Sequence, residues 1–240
     1  MANDLEAPPG ELGGWPDDLY RARGDEVAAH RLVFTGDVFA GVTVRSPDGV
    51  EKQKTVLVLQ HPCALRSNGV DLVSGLLVAE TRKHRVLSAE EWTRFGRLMP
   101  LPALRPEVES AKRDQAAFFE SVYVVGADHL SDRIACLSQL GVNLLLQRWV
   151  RHNSRVVVPT TTLNEQVSGA YEEADVLEEW CERALEAGVG LVEASSDCLA
   201  WLREDLGGGQ TRQRRLDDPQ MRGALRRDLR AALSGRYERS

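Results

Sequence analysis

The sequence predicts an α+β protein, with a strand-rich first part and an α-helical C-terminal region. Three observations carry this. Short apolar, β-branched runs separated by turn signals recur between Asp37 and Leu137. Beyond residue 159, apolar residues instead recur at steps of three and four. The charge changes sign with them: −5 over residues 1–30, +4 over 31–158, −10 over 159–211 and +5 over 212–240. These blocks suggest a lead-in (1–30), a β-rich domain with a closing helix (31–158), an acidic helical pair (159–206) and a Gly hinge with an Arg-rich amphipathic helix (207–240).

With 42% hydrophobic and 28% charged residues over 240 positions, the composition is that of a folded chain rather than a disordered one. The net charge of −6 argues against a non-specific polyanion coat. It leaves room for a local phosphate site on the mildly basic β-rich part. No apolar stretch approaches the roughly 18–20 residues of a membrane span. The start, Met-Ala-Asn-Asp-Leu-Glu, lacks a signal-peptide pattern, so a cytoplasmic protein without membrane contact is expected. The 26 Arg against 4 Lys fit either nucleic-acid recognition or a G- and C-rich coding bias. Cys63, Cys136, Cys181 and Cys198 form no C-x-x-C pair, and buried apolar roles are expected for them. Neither a metal nor a cofactor is expected.

In chain order, Pro8-Pro9-Gly10 and Gly13-Gly14-Trp15-Pro16 break the lead-in, and a short helix fits Asp17 to His30. Residues Asp37 to Val44 form a strand ending at the Ser46-Pro47-Asp48-Gly49 turn. Runs at Thr55–Leu59, Leu76–Ala79 and Ser121–Val125 read as further strands. Ser88-Ala89-Glu90-Glu91 has capping-box form and opens a helix to about Leu98, after which Pro100, Pro102 and Pro106 impose an irregular connection. Two readings fit the next stretch. Either Asp132–Leu137 is a strand and Ser138 caps a helix to about His152, or one longer helix starts at Ser131. Tyr171, Ala174, Leu177, Cys181, Ala184 and Leu185 line one helix; Val192, Ser195, Leu199, Leu202 and Leu206 line a second. After Gly207-Gly208-Gly209, Met221, Leu225, Leu229 and Leu233 line a third, flanked by Arg222, Arg226 and Arg230.

Several clusters admit chemistry. His61 and Cys63 follow the strongest strand and are either a nucleophile–base pair or a turn with one buried thiol. Arg66, Arg82, Lys83, His84 and Arg85 are either a phosphate-binding rim or a solvated turn. The terminal Arg-rich helix has three options: docking on the acidic pair, binding a partner through Arg222, Arg226 and Arg230, or lying on anionic lipid.

The order Gly36-Asp37-Val38-Phe39, Asp48-Gly49, Val56-Leu57-Val58-Leu59, Leu77-Val78-Ala79 and Arg133-Ile134-Ala135-Cys136-Leu137-Ser138 resembles the MazF/PemK group of toxins over residues 36–152. The resemblance implies a small SH3-like β-barrel with a closing helix. It further implies metal-independent cleavage of single-stranded RNA, an antitoxin-like protein inhibitor and a homodimer. Carried onto this chain, it points to Lys54 as phosphate cation, Thr81 as polar assistant and His61 as acid or base, with Arg66, Arg82, Lys83 and Arg85 on the RNA. The chain departs from the family where Lys54-Thr55 replaces an Arg-Pro pair. It departs again at Val78-Ala79-Glu80-Thr81, one residue short, which sets a carboxylate beside the expected phosphate. These departures support a second expectation, a non-catalytic interaction module of a bacterial defence or toxin–antitoxin system.

Overall fold

The computed structural model describes residues 4–8, 18–46, 48–67, 71–105 and 113–237. Pro9, Gly10, Gly13, Gly14 and Pro16 of the lead-in, together with Pro47 and Pro106, lie outside these residues. The chain is α+β and divides into two compact units: Met1–Val27 with Phe34–Asn164, and Ala28–Val33 with Glu165–Ser240.

The first unit is built on seven antiparallel strands: β1 (Tyr20–Arg23), β2 (Asp37–Arg45), β3 (Glu51–Val58), β6 (Gly75–Arg85), β7 (Leu98–Leu101), β8 (Arg113–Gly126) and β9 (Asp132–Leu137). Their spatial order is β1-β9-β2-β3-β6-β8-β7, an open sheet with β1 and β7 on its edges. Two short strands, β4 (Arg66–Ser67) and β5 (Asp71–Leu72), make a separate hairpin. Val38, Leu57, Val58, Val78, Ala79 and Ala117 are fully buried, so the central strands carry the core on both faces.

Three sequence expectations are corrected. Tyr20–Arg23 is an edge strand paired with β9 rather than part of a helix. The capping box at Ser88 forms as expected, with Ser88 Oγ accepting from Glu91 N and Glu91 Oε2 accepting from Ser88 N, but it opens only the short helix α1 (Ala89–Trp92). Pro100 sits inside β7, where the missing N–H is tolerated because β7 is an edge.

The choice at residues 131–138 falls to a strand followed by helix α2 (Gln139–Ser154), whose first turn is capped by Ser138 Oγ accepting from Gly141 N at 3.1 Å. Two glycines shape β2. Gly36 has φ +85, and a Cβ there would meet Leu137 at 2.9 Å, so only glycine lets β2 start against β9. Gly41 has φ +62 inside the bulge between Phe39 and Val42. Next to Gly36, Asp37 accepts from Phe34 N and pairs with Arg133 at 3.2 Å, tying β2 to β9 across a buried ion pair. A second buried knot holds the N-terminal segment. Arg148, fully buried, donates to the carbonyls of Glu6, Trp92 and Leu144. The Glu6 carboxylate accepts from the Thr160 N–H and hydroxyl.

The second unit is helical. Helix α3 (Thr160–Glu186) contributes all but its first five residues to it, followed by α4 (Leu191–Arg203), α5 (Arg212–Arg215) and α6 (Pro219–Tyr237). Leu177, Trp180, Cys181, Cys198, Leu202, Leu225 and Leu229 share one core. Residues 165–206 and 207–240 therefore belong to one compact unit. Leu185, Val192 and Leu206, expected on buried stripes, are exposed.

Candidate functional site

Strand pairing decides which of the singled-out side chains meet. On β3 and β6 the partners are Thr55 with Thr81, Val56 with Glu80 and Leu57 with Ala79. Side chains alternate along a strand, so Lys54, Glu80 and Arg82 share one face, and Thr81 and Lys83 lie on the other. On β8 the register jumps from Ala79 opposite Val122 to Glu80 opposite Phe118. That irregularity brings Phe118, Ser121 and Tyr123 around the same point.

Glu80 is the hub. Its side chain is 7% exposed, and Oε1 lies 2.8 Å from Lys54 Nζ and 4.0 Å from Arg82 Nε. The Tyr123 hydroxyl donates to Oε2 at 3.2 Å. Burial and the neighbouring Glu80 charge both raise the Tyr123 pKa, so the phenol keeps its proton. Arg82, 42% exposed, donates to Ser121 Oγ at 3.1 Å and stacks 4.2 Å over the Phe118 ring. His84 meets Phe118 and Phe95 edge-on at 5.9 and 6.3 Å. The result is a buried carboxylate between two cations, next to a partly exposed aromatic group.

The other expected residues lie elsewhere. Thr81 is on the opposite face, buried, and its hydroxyl has no hydrogen-bond partner among the described residues. His61 is beyond the far end of β3. There Gln60 N meets Leu77 O, four residues and about 13 Å along β6 from Thr81. His61 Nδ1 accepts from Cys63 N at 3.3 Å and caps the short turn Pro62–Ala64. Burial lowers its pKa, which favours the neutral ring. The turn reading of His61 and Cys63 therefore describes the geometry, except that Cys63 is exposed while the other three cysteines are buried. Arg66 belongs to the β4–β5 hairpin at that same far end. Arg85 is held by both oxygens of Glu91, whose pKa that pairing lowers to about 2. Lys83 is exposed on the face opposite Glu80.

In the second unit, Arg222 donates to Leu216 O and Ser168 Oγ. Arg226 bridges Glu172 and Glu179 at 2.8 and 3.0 Å. Arg230 is exposed and donates to the Arg226 carbonyl. Of the three options for this helix, docking on the acidic helix α3 is the one the contacts display. Arg31 adds to it, pairing with Asp175 and Glu178.

Among the described residues, no group of three His, Cys, Asp or Glu side chains is arranged to hold a metal ion. No helix there is long and apolar enough to cross a membrane. No protein-family model matches the chain, and no curated protein matches its sequence. Lys54 and Arg82 were readable in the sequence as candidate cations. The sequence marked Glu80 only as an intruding charge, and Phe118, Ser121 and Tyr123 not at all. The only local signal for the last two was their alternate spacing in the run 121–125.

Proposed function

We propose that the Lys54–Glu80–Arg82 face binds single-stranded RNA and cleaves it without a metal, as a toxin-like endoribonuclease acting in the cytoplasm. One observation carries the reading: a carboxylate with a 7% exposed side chain, held at 2.8 Å by a lysine and at 3.2 Å by a tyrosine hydroxyl, beneath an arginine stacked on an aromatic ring. Lys54 and Arg82 supply two positive charges to a phosphodiester. Phe118 and His84 supply faces on which unpaired bases stack.

The chemistry closes on these groups. Glu80 takes the proton of the ribose 2′-hydroxyl, the 2′-oxygen bonds to phosphorus, and the bond from phosphorus to the 5′-oxygen breaks. Tyr123 protonates the departing 5′-oxygen, and the proton on Glu80 passes back to Tyr123 through their contact. The products are a 2′,3′-cyclic phosphate and a 5′-hydroxyl. Glu80, the departure that sat awkwardly beside a phosphate, thereby becomes the base.

The MazF/PemK-like fold belongs to the same proposal, with the expected SH3-like barrel left open between β1 and β7. It is supported by Gly36-Asp37 opening β2, by β9 pairing with β2, and by Ser138 capping the helix that follows. Binding of a labelled, unstructured RNA to the wild type and to Lys54→Ala and Arg82→Ala tests the reading. Weakened binding in both variants supports it, and unchanged binding contradicts it. A chain that binds no RNA at all would shift the assignment to the interaction-module alternative.

A further inference from the structure

The helical unit carries a small cavity of about 140 Å³, lined by Arg183, Glu186, Ala187, Leu233 and Tyr237. A cavity of about 150 Å³ accommodates a benzene ring, whereas drug-sized ligands take about 300–1,000 Å³. The space therefore suits a metabolite with an apolar body of roughly four to six non-hydrogen atoms. Leu233, 6% exposed, and Ala187 supply apolar surface. The Tyr237 ring stands at 88° to that of fully buried Trp180, 6.2 Å between centroids, so this wall is held in place.

The rim holds charges of both signs. Arg183 and Glu186 lie one helical turn apart, each more than half exposed, and Arg183 Nη1 meets Glu186 Oε2 at 3.1 Å. That contact uses one nitrogen and one oxygen, so the other guanidinium donors and Oε1 remain open to a ligand. Glu186 is also the last residue of α3, where the helix dipole adds negative potential and favours a cation.

We infer that this cavity binds a free α-amino acid with a mid-sized apolar side chain, its carboxylate on Arg183, its ammonium on Glu186 and its side chain against Leu233, Ala187 and Tyr237. The rim selects this class. A simple carboxylic acid would meet Arg183 but set its charge against Glu186, and a simple amine would do the reverse. An α-amino acid carries both charges on one carbon, which matches an ion pair whose members are 3.1 Å apart. A peptide separates its terminal charges by at least one further residue and loses that match. All these residues belong to the helical unit, so the inference does not rest on the RNA reading.

Calorimetric titration of the full chain with L-leucine tests it, alongside three probes that each lack one element: isocaproate without the ammonium, isoamylamine without the carboxylate and glycine without the side chain. L-Leucine should bind with a dissociation constant near or below about 1 mM, as befits so small a ligand, and each probe about tenfold or more weakly. Arg183→Gln and Glu186→Gln should each weaken L-leucine about three- to tenfold. Both positions are exposed, and far-ultraviolet circular dichroism and melting unchanged from wild type show that the variants fold. No binding of L-leucine or L-methionine up to about 10 mM overturns the inference. Isocaproate or isoamylamine binding as tightly as L-leucine overturns it too, as does L-leucine binding that both substitutions leave intact.

Discussion

Lys54 Nζ lies 2.8 Å from Glu80 Oε1, and the two belong to neighbouring strands two positions apart in register. The pair is asymmetric, because the lysine side chain is 31% exposed and the glutamate only 7%. Arg82, at 4.0 Å, shares the carboxylate, so the cluster of these three carries one net positive charge at an opening to solvent. In the proposed reading, this cluster is what meets the phosphate.

Binding of RNA should therefore depend on salt in a countable way. One net positive charge on one phosphate of a single strand gives a slope of about −0.7 in log K against log salt, and alanine at Lys54 or Arg82, which leaves the cluster without net charge, should bring it close to zero. Fluorescence anisotropy over a salt series reads both. A slope unaffected by either substitution places the RNA elsewhere.

Thr81 marks the difference between the expected and the proposed site. Its buried hydroxyl has no partner among the described residues and faces away from Glu80. Thr81→Val keeps the shape and removes an unsatisfied group, so stability should stay level or rise by about 1 kcal/mol. RNA binding and cleavage should be unaltered. A large loss of activity in a variant that melts like wild type would return Thr81 to the site.

The Glu6 cap of α3 predicts a pH-dependent contribution to stability. Burial on its own would raise the Glu6 pKa, but hydrogen bonds from the Thr160 hydroxyl and N–H, and from Gln147, together outweigh it and lower the value below 4.5. A folded pKa below the unfolded one stabilises above the unfolded pKa and is lost as pH falls through the folded one. Glu6→Gln should therefore melt lower than wild type at pH 7, and the gap should narrow below about pH 4. An equal gap at both pH values would contradict the carboxylate's role.

The helical unit yields a test of the docked arginine helix. Arg226 is 28% exposed and reaches Glu172 and Glu179, whereas Arg230 is exposed and, among the described residues, bonds only to a carbonyl of its own helix. Arg226→Ala should cost about 1 kcal/mol, less at high salt, and Arg230→Ala no more than about 0.5 kcal/mol. Urea denaturation at two ionic strengths separates them. Equal costs would mean that the ion network adds nothing.

Strand and helix positions were legible where periodicity was strong, as at Thr55–Leu59 and along Leu225, Leu229 and Leu233. Tyr20–Arg23 was not legible, because it has no alternation of its own and becomes a strand only by pairing with β9. Pro100 misled for a similar reason: whether a proline breaks a strand depends on an edge position that sequence does not reveal. At the site, Lys54 and Arg82 were found as isolated charges. The face each occupies follows from pairing between residues more than twenty positions apart. The register jump after Ala79 then selects Phe118, Ser121 and Tyr123 as their neighbours. Complementary charge on α3 and α6 was visible in the block totals, and the contact of Arg226 with Glu172 and Glu179 gives it a location.

The most direct test of the central claim is to incubate an unstructured, 5′-labelled RNA with wild type and Glu80→Gln in the presence of a chelator, and to analyse the ends of the products. Fragments ending in a 2′,3′-cyclic phosphate, formed by the wild type and lost with Glu80→Gln while RNA binding persists, are the predicted result. Intact RNA with the wild type, or equal cleavage by Glu80→Gln, would contradict the account.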